Sequence, residues 1–231
     1  MSKKSVLSRR EFLAAGVGLV AFPHFVSPSA LGQAGSVAAS NRVTMGTIGT
    51  GGRGKQVMRS LMGQPSCAML AVCDVDGKRR NEARGIVNAQ YGNQDCAAYG
   101  DYRDLLTRAD IDAVLIASPD QWHVLQSIEA ARAGKDIYLE KPLGLSVQEN
   151  IALRRAIIEY QRVFQFGTQQ RSDRNFRFAC ELVRNGRIGK LRRIIAATPA
   201  SRAVDSYRPS RVPPELDYEM WVGPARWMPY T

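Results

Sequence analysis

Gly49, Gly51 and Gly54 stand in a G-x-G-x-x-G spacing directly after the apolar run Val43-Thr44-Met45-Gly46-Thr47-Ile48, with Thr50, Gly52 and Arg53 between them. Where that spacing leaves a strand and opens a helix, each glycine has its own task. The first turns the chain tightly, the second removes the Cβ that would bar a pyrophosphate from the backbone, and the third lets the helix pack close on the sheet. The helix start adds unpaired N–H groups and a positive dipole end, both suited to phosphate. Glycine-rich turns are common, so the decisive check is an acidic residue about 20 positions later, at the end of a second strand. Asp74 meets it, closing the apolar run Met69-Leu70-Ala71-Val72-Cys73. A carboxylate there accepts the ribose hydroxyls of an adenosine and repels a 2′-phosphate, which points to NAD over NADP. Two alternatives stay open: Asp74 could instead cap the turn Asp74-Val75-Asp76-Gly77, and Arg53, Arg79 or Arg80 could admit a 2′-phosphate.

Elements that could position these residues follow along the chain. Lys78 to about Gln90 reads as a helix, Cys96 to Tyr99 as a short strand, and Tyr102 to Arg108 as a helical turn or two. Ile111 to Ala117 is an apolar run that fits a strand buried on both faces, ending at Ser118-Pro119-Asp120. Trp122 to Ala133 reads as an Ala-rich helix stopped by Gly134, and Asp136 to Leu139 as the next strand, ending at Glu140-Lys141-Pro142. Ser146-Val147-Gln148-Glu149 is a capping box opening a helix to about Tyr160, and Val163 to Gly167 closes a sixth strand. Strand and helix alternating in this way specify a doubly wound parallel α/β sheet, because parallel strands need crossover helices. Beyond it, a helix around Asn175 to Asn185 and a strand around Leu191 to Ala197 are expected.

The formal net charge of +11 over 231 residues looks at first like a nucleic-acid signal. Residues 1–40 hold Lys3, Lys4, Arg9 and Arg10 against Glu11, a net of +3, which leaves +8 for the remainder. Between 171 and 193 eight basic side chains face only Asp173 and Glu181, the pattern of a solvated helical face rather than of a nucleic-acid surface. An anionic substrate or contact with another protein segment is the alternative. Near the N-terminus, Ser8-Arg9-Arg10-Glu11-Phe12-Leu13 is a twin-arginine motif followed by a modest apolar region and small residues. That region is too short and too Gly- and Pro-interrupted to span a membrane, which takes about 20 apolar residues. Residues 1–38 are therefore set apart as an export signal, with membrane contact during export only and a periplasmic or other extracytoplasmic destination. Cys67, Cys73, Cys96 and Cys180 show no C-x-x-C or Cys/His clustering, so no metal site is expected. Folding in a reducing cytosol before export argues for free thiols.

The ordered series Gly49-x-Gly51-x-x-Gly54, Cys73-Asp74-Val75-Asp76, Ser118-Pro119-Asp120-Gln121-Trp122-His123, Glu140-Lys141-Pro142 and Gly167-Thr168-Gln169-Gln170-Arg171 resembles the glucose-fructose oxidoreductase, inositol dehydrogenase and rhizopine-catabolism family (Gfo/Idh/MocA). The resemblance covers about residues 42–231 and implies a Rossmann-type NAD-binding domain over 42–167. It also implies a nicotinamide cofactor, a small carbohydrate substrate and, for a full-length form, a homo-oligomer. By resemblance Lys141 lies beside the nicotinamide and the substrate hydroxyl. The chemistry supports that role, since a lysine ammonium near a developing alkoxide stabilises it or moves its proton. Glu140 could orient the lysine or simply end its strand, and Pro142 matches the family's proline, where an unusual peptide geometry could fix the side chain's direction. His123, the one histidine after the signal region, lies by resemblance near the nicotinamide; a structural role on the first turn of its helix is the alternative. Ser118 and Pro119 are read as shaping the loop under the cofactor. Gln169 and Arg171 could reach substrate or cofactor, or face solvent.

Family members carry a second domain, an antiparallel sheet that adds a further Asp and His to the active site. Residues 168–231, roughly 60 in number, are too few for such a sheet with its covering helix. They read as the beginning of an incomplete α+β substrate domain, the expectation being a truncated member. Three functions follow: an NAD-dependent dehydrogenase of a sugar, sugar acid or polyol; an NAD-dependent glycosidase of the same superfamily, which oxidises a sugar transiently to labilise its glycosidic bond; or a nucleotide-binding fragment without catalysis.

Overall fold

The computed structural model describes residues 37–197 and 207–231. The twin-arginine motif lies outside the described residues. The chain divides into two units, Met1–Arg42 and Val43–Thr231. Of the first, a single 3₁₀ turn at Ala39–Asn41 is described, beside which the Arg42 guanidinium donates to the Val37 carbonyl at 2.9 Å.

The second unit is built on six parallel strands: β1 (Val43–Ile48), β2 (Cys67–Cys73), β3 (Ala97–Tyr99), β4 (Ala113–Ile116), β5 (Asp136–Leu139) and β6 (Phe164–Phe166). Their order across the sheet is β3-β2-β1-β4-β5-β6. The chain winds outward one way from β1, then returns to start β4 on its other side, so the carboxyl ends of β1 and β4 diverge into a crevice. Open α/β sheets bind ligands at this reversal. β4 reads Ala-Val-Leu-Ile and is buried at all four positions, as expected of a strand covered on both faces.

Seven α-helices connect and extend these strands among the described residues: α1 (Gly52–Met62), α2 (Gly77–Tyr91), α3 (Tyr102–Leu106), α4 (His123–Arg132), α5 (Val147–Glu159), α6 (Arg174–Arg184) and α7 (Tyr218–Val222). Two apolar clusters form, one on each side of the sheet. On one side Met58, Met62, Ala83 and Val87 of α1 and α2 pack on Met69, Val72 and Leu115. On the other, Leu105, Trp122, Ala130 and Leu153 from the α3–α5 side pack on Ile48, Val114, Ile116 and Leu139. Fully burying side chains of this kind contributes about 1.5–3 kcal/mol each.

Local signals set the helix ends. Asp76 caps α2 by accepting from the Lys78 and Arg79 backbone amides, and the Ser146/Glu149 capping box opens α5. Gly134, at φ +76°, stops α4 as its sequence position indicates. The helix expected from Trp122 is preceded by a 3₁₀ turn, Asp120–Trp122, and becomes α-helical at His123. Leu191 to Ala197 is not a strand: each of these residues is exposed, and no neighbouring strand among the described residues takes up its backbone groups. α6 likewise buries no residue, and its basic side chains are exposed, as a solvated face requires.

The segment following residue 207 returns to the sheet. Asp76 and Leu216 form an antiparallel bridge, and the Gly77 amide donates to the Glu215 carbonyl at 2.8 Å. Residues 213–223 thereby become part of the surroundings of the β1–β4 crevice.

Candidate functional site

The loop after β1 is held by geometry that only glycine satisfies. Gly49 has φ +86°, and a Cβ on it would overlap the backbone nitrogen of Ser118, so the β1 loop can lie against the β4 loop only without one. A Cβ on Gly54 would overlap the Gly49 carbonyl oxygen. Gly51 is different: the nearest atom to an added Cβ is Arg79 Nη1, at 3.7 Å. Gly51 also lines a cavity of about 160 Å³ together with Asp74, Arg79, Ser118, Pro119 and Trp221. A backbone left bare toward open space is the cradle a pyrophosphate needs, so the residues fit a dinucleotide. No side chain caps the start of α1 and its first turn has no acidic residue, which leaves amide donors and a positive dipole end for phosphate oxygens.

Asp74 lines this cavity and also bonds locally. Its Oδ2 accepts from the Thr50 amide at 2.7 Å and the Thr50 hydroxyl at 2.9 Å, while Oδ1 accepts from the Asp76 amide at 2.9 Å. Both readings of Asp74 are thus present in one residue: it braces the turn, and it borders the space where a ribose would sit. The arginines separate. Arg80 donates to the Asp74 carbonyl at 2.6 Å, and Arg53 points to Glu140; Arg79 alone of the three lines the cavity. Beneath this floor, burial drives the Cys73 thiol far above its ordinary value, with the Asp74 charge adding to the effect, so Cys73 stays a neutral apolar side chain.

Arg53 and Glu140 form the link sequence reading missed. Arg53 Nε and Nη2 donate to Glu140 Oε1 at 3.0 and 2.8 Å, and the same Nη2 reaches Gln169. The Glu140 side chain is 3% exposed, so its charge is balanced inside the protein by the first turn of α1. Its second oxygen accepts from the Lys141 amide at 3.2 Å. Glu140 therefore ties the glycine loop to the lysine loop, 87 residues apart. Lys141 itself is exposed at the carboxyl end of β5, and its ammonium has no partner among the described residues. The Lys141–Pro142 peptide bond is cis.

His123 is buried, and both ring nitrogens face carbonyl oxygens: Nδ1 lies 2.6 Å from the Pro142 oxygen and Nε2 2.9 Å from the Ser118 oxygen. Carbonyls only accept, so a neutral imidazole serves one of them at a time and a doubly protonated ring serves both. The geometry makes His123 a clasp between the β4 and β5 loops. Ser118 adds a hydroxyl bond to Gln126 at 2.6 Å. Gln169 is drawn in through Arg53, whereas Arg171 is exposed on a 3₁₀ turn and, among the described residues, bonds through its backbone. Gly49, Gly51, Asp74, Ser118 and Pro119 meet at the cavity; Gly52, Arg53, Gly54, Glu140 and Lys141 lie beside it or beyond it. Met220 and Trp221 line the cavity as well, and buried Thr50 braces Asp74 at its border.

Residues 43–168 match the Gfo/Idh/MocA family, an oxidoreductase family with an NAD-binding Rossmann fold. This chain belongs to that family. An uncharacterized oxidoreductase of Bacillus subtilis, YrbE, is 31% identical over 78% of this chain and 48% of its own length. A glycosyl hydrolase family 109 protein of Saccharopolyspora erythraea is 35% identical over 48% of this chain and 25% of its own. The chain thus spans about half the length or less of the curated relatives it matches. Among solved structures, scyllo-inositol dehydrogenase of Lactobacillus casei with bound NAD(H) and scyllo-inositol superposes with TM-score 0.57 at 29% identity, over 64% of this chain and 42% of that one. A myo-inositol 2-dehydrogenase of Lactobacillus plantarum gives 0.58 at 30% identity over 64% and 43%.

Proposed function

We propose that this chain supplies the NAD-binding part and the proton-handling lysine of a dehydrogenase acting on a hydroxyl of a sugar, sugar acid or polyol. One observation carries the reading: the loop that would hold the pyrophosphate and the loop that presents Lys141 are one hydrogen-bonded piece, joined by Arg53 and Glu140. Bound nicotinamide supplies a hydride acceptor for the hydrogen on the alcohol carbon. Lys141 then acts on the oxygen, stabilising the developing alkoxide as an ammonium or taking the hydroxyl proton as an amine. His123 holds the Ser118 and Pro142 loops in register, and Asp74 favours NAD over NADP by repelling a 2′-phosphate, with Arg79 as its opponent. Export by the twin-arginine route to the periplasm or another extracytoplasmic space completes the reading.

The family 109 relatives favour a second reading, an NAD-dependent glycosidase, which would use the same cofactor half. Assays with a panel of polyols and sugars plus NAD, and separately with aryl glycosides, distinguish them. In a form matching the relatives' full length, Lys141→Ala should cut turnover by about 10² to 10⁴ and leave NADH affinity within a factor of two, since the glycines and Asp74 are untouched. Unchanged turnover would remove Lys141 from the chemistry.

A further inference from the structure

The crevice has a wall that comes from far along the chain. Residues 213–223 are held at two places. At one end the Gly77 amide donates to the Glu215 carbonyl at 2.8 Å and the Asp217 amide donates to the Val75 carbonyl at 3.1 Å, beside the Asp76–Leu216 bridge. At the other end Gln121 Nε2 donates to the Trp221 carbonyl at 3.0 Å and Trp122 Nε1 to the Met220 carbonyl at 2.9 Å. Gly223 lies flat against the Trp122 ring, where an added Cβ would overlap the indole. The strap therefore runs from the loop after β2 to the turn after β4, across the mouth of the crevice. At this second anchor Met220 and Trp221 line the same cavity as Gly51, Asp74 and Arg79. Trp221 is stacked on Tyr218, with ring centroids 5.8 Å apart and planes 14° off parallel, yet 39% of its surface is exposed. An aromatic ring held by backbone anchors, stacked on one neighbour and still open, is a preformed platform for a second flat ring.

We propose that the strap 213–223 closes the adenosine end of the cofactor cleft, with Trp221 and Met220 forming the surface on which the adenine ring of the dinucleotide rests. The adenosine end is the one concerned because Asp74 and the start of α2 border this cavity, whereas Lys141 does not line it and stands in the loop after β5. The strap thereby makes dinucleotide affinity depend on Met220 and Trp221, about 170 positions past the glycine loop. This rests on the NAD-binding reading above.

Calorimetric titration of the whole 231-residue chain with NADH and with ADP-ribose, which lacks the nicotinamide, tests it. Trp221→Ala should weaken both ligands by about the same factor, on the order of 10-fold or more, and Trp221→Phe should recover most of that loss because a flat ring remains. Trp227→Ala, an exposed tryptophan away from the cavity, should change neither. The anchors use the backbone carbonyls of Met220 and Trp221, so removing the indole leaves them in place; retention of the parent's thermal unfolding midpoint checks this. Parent binding with Trp221→Ala equal to it would overturn the strap's role, as would a loss seen with NADH but not ADP-ribose. Failure of the parent chain to bind either ligand would instead overturn the NAD-binding reading, and the strap's role with it.

Discussion

Adding a single carbon to each glycine of the β1–α1 loop has different consequences. At Gly49 and Gly54 the new atom meets backbone, Ser118 nitrogen in one case and Gly49 oxygen in the other, so the loop itself must move. At Gly51 it meets nothing closer than 3.7 Å. Stability and cofactor binding should therefore separate by residue. Gly54→Ala is expected to lower the thermal midpoint by several degrees, as a loss of about 1–3 kcal/mol would do in a domain of this size. Gly51→Val should leave the midpoint near the parent's and abolish calorimetric binding of NADH, because its methyl groups occupy the pyrophosphate cradle. A Gly51→Val variant that still binds NADH as the parent does would show that the phosphates lie elsewhere. Glu140 makes a related point: a carboxylate 3% exposed is tolerable because the Arg53 guanidinium lies on it, and removing either partner alone leaves a charge out of balance.

Element by element, the parallel sheet was legible because a strand buried on both faces has to be an apolar run, and because the turn residues between runs are short-range signals. The Ser146/Glu149 box, Gly134 and the Asp76 cap all act within a few residues of where they stand. The Arg53–Glu140 bond and the strap do not, since they join segments 87 residues or more apart and leave no local pattern. The strand expected at Leu191 to Ala197 failed for the complementary reason: β-branched composition suits a pleated surface, but a strand exists only where a neighbour takes its hydrogen bonds. Thr44 and Asp112 show what such a neighbour does at the start of β1 and β4. The Asp112 carboxylate accepts from the Thr44 amide at 2.8 Å and its hydroxyl at 2.7 Å, and these bonds, the backbone one first, lower the carboxyl's pKa. A depressed carboxyl stabilises the fold above its unfolded value of about 3.9 and loses that contribution as pH falls through the folded value. Asp112→Asn should then cost about 0.5–1 kcal/mol near pH 7, kept small by solvent screening, with the gap to the parent narrowing below about pH 4. Urea unfolding at both pH values measures it; a gap of constant size would remove the charge from the account.

At the scale of the whole molecule, the residues that surround the cofactor cleft run from Ile48 to Trp221, so the cleft is complete only after nearly all of the second unit has folded. A dinucleotide loaded into such a site has to be bound where the cell keeps its nucleotides, before any crossing of a membrane. The pathway that reads twin-arginine signals carries proteins already folded, and Ser8-Arg9-Arg10-Glu11-Phe12-Leu13 has the residue pattern of such a signal. The proposed export rests on that pattern, and it can be tested without altering charge. Changing Arg9 and Arg10 together to Lys keeps both positive charges but removes the planar guanidinium forks. A reporter fused behind residues 1–38 should then remain in the cytoplasm, while the parent signal delivers it outside. Export of the double-lysine form through the same route would show that the arginine pair itself is not what is read, since both positive charges are kept.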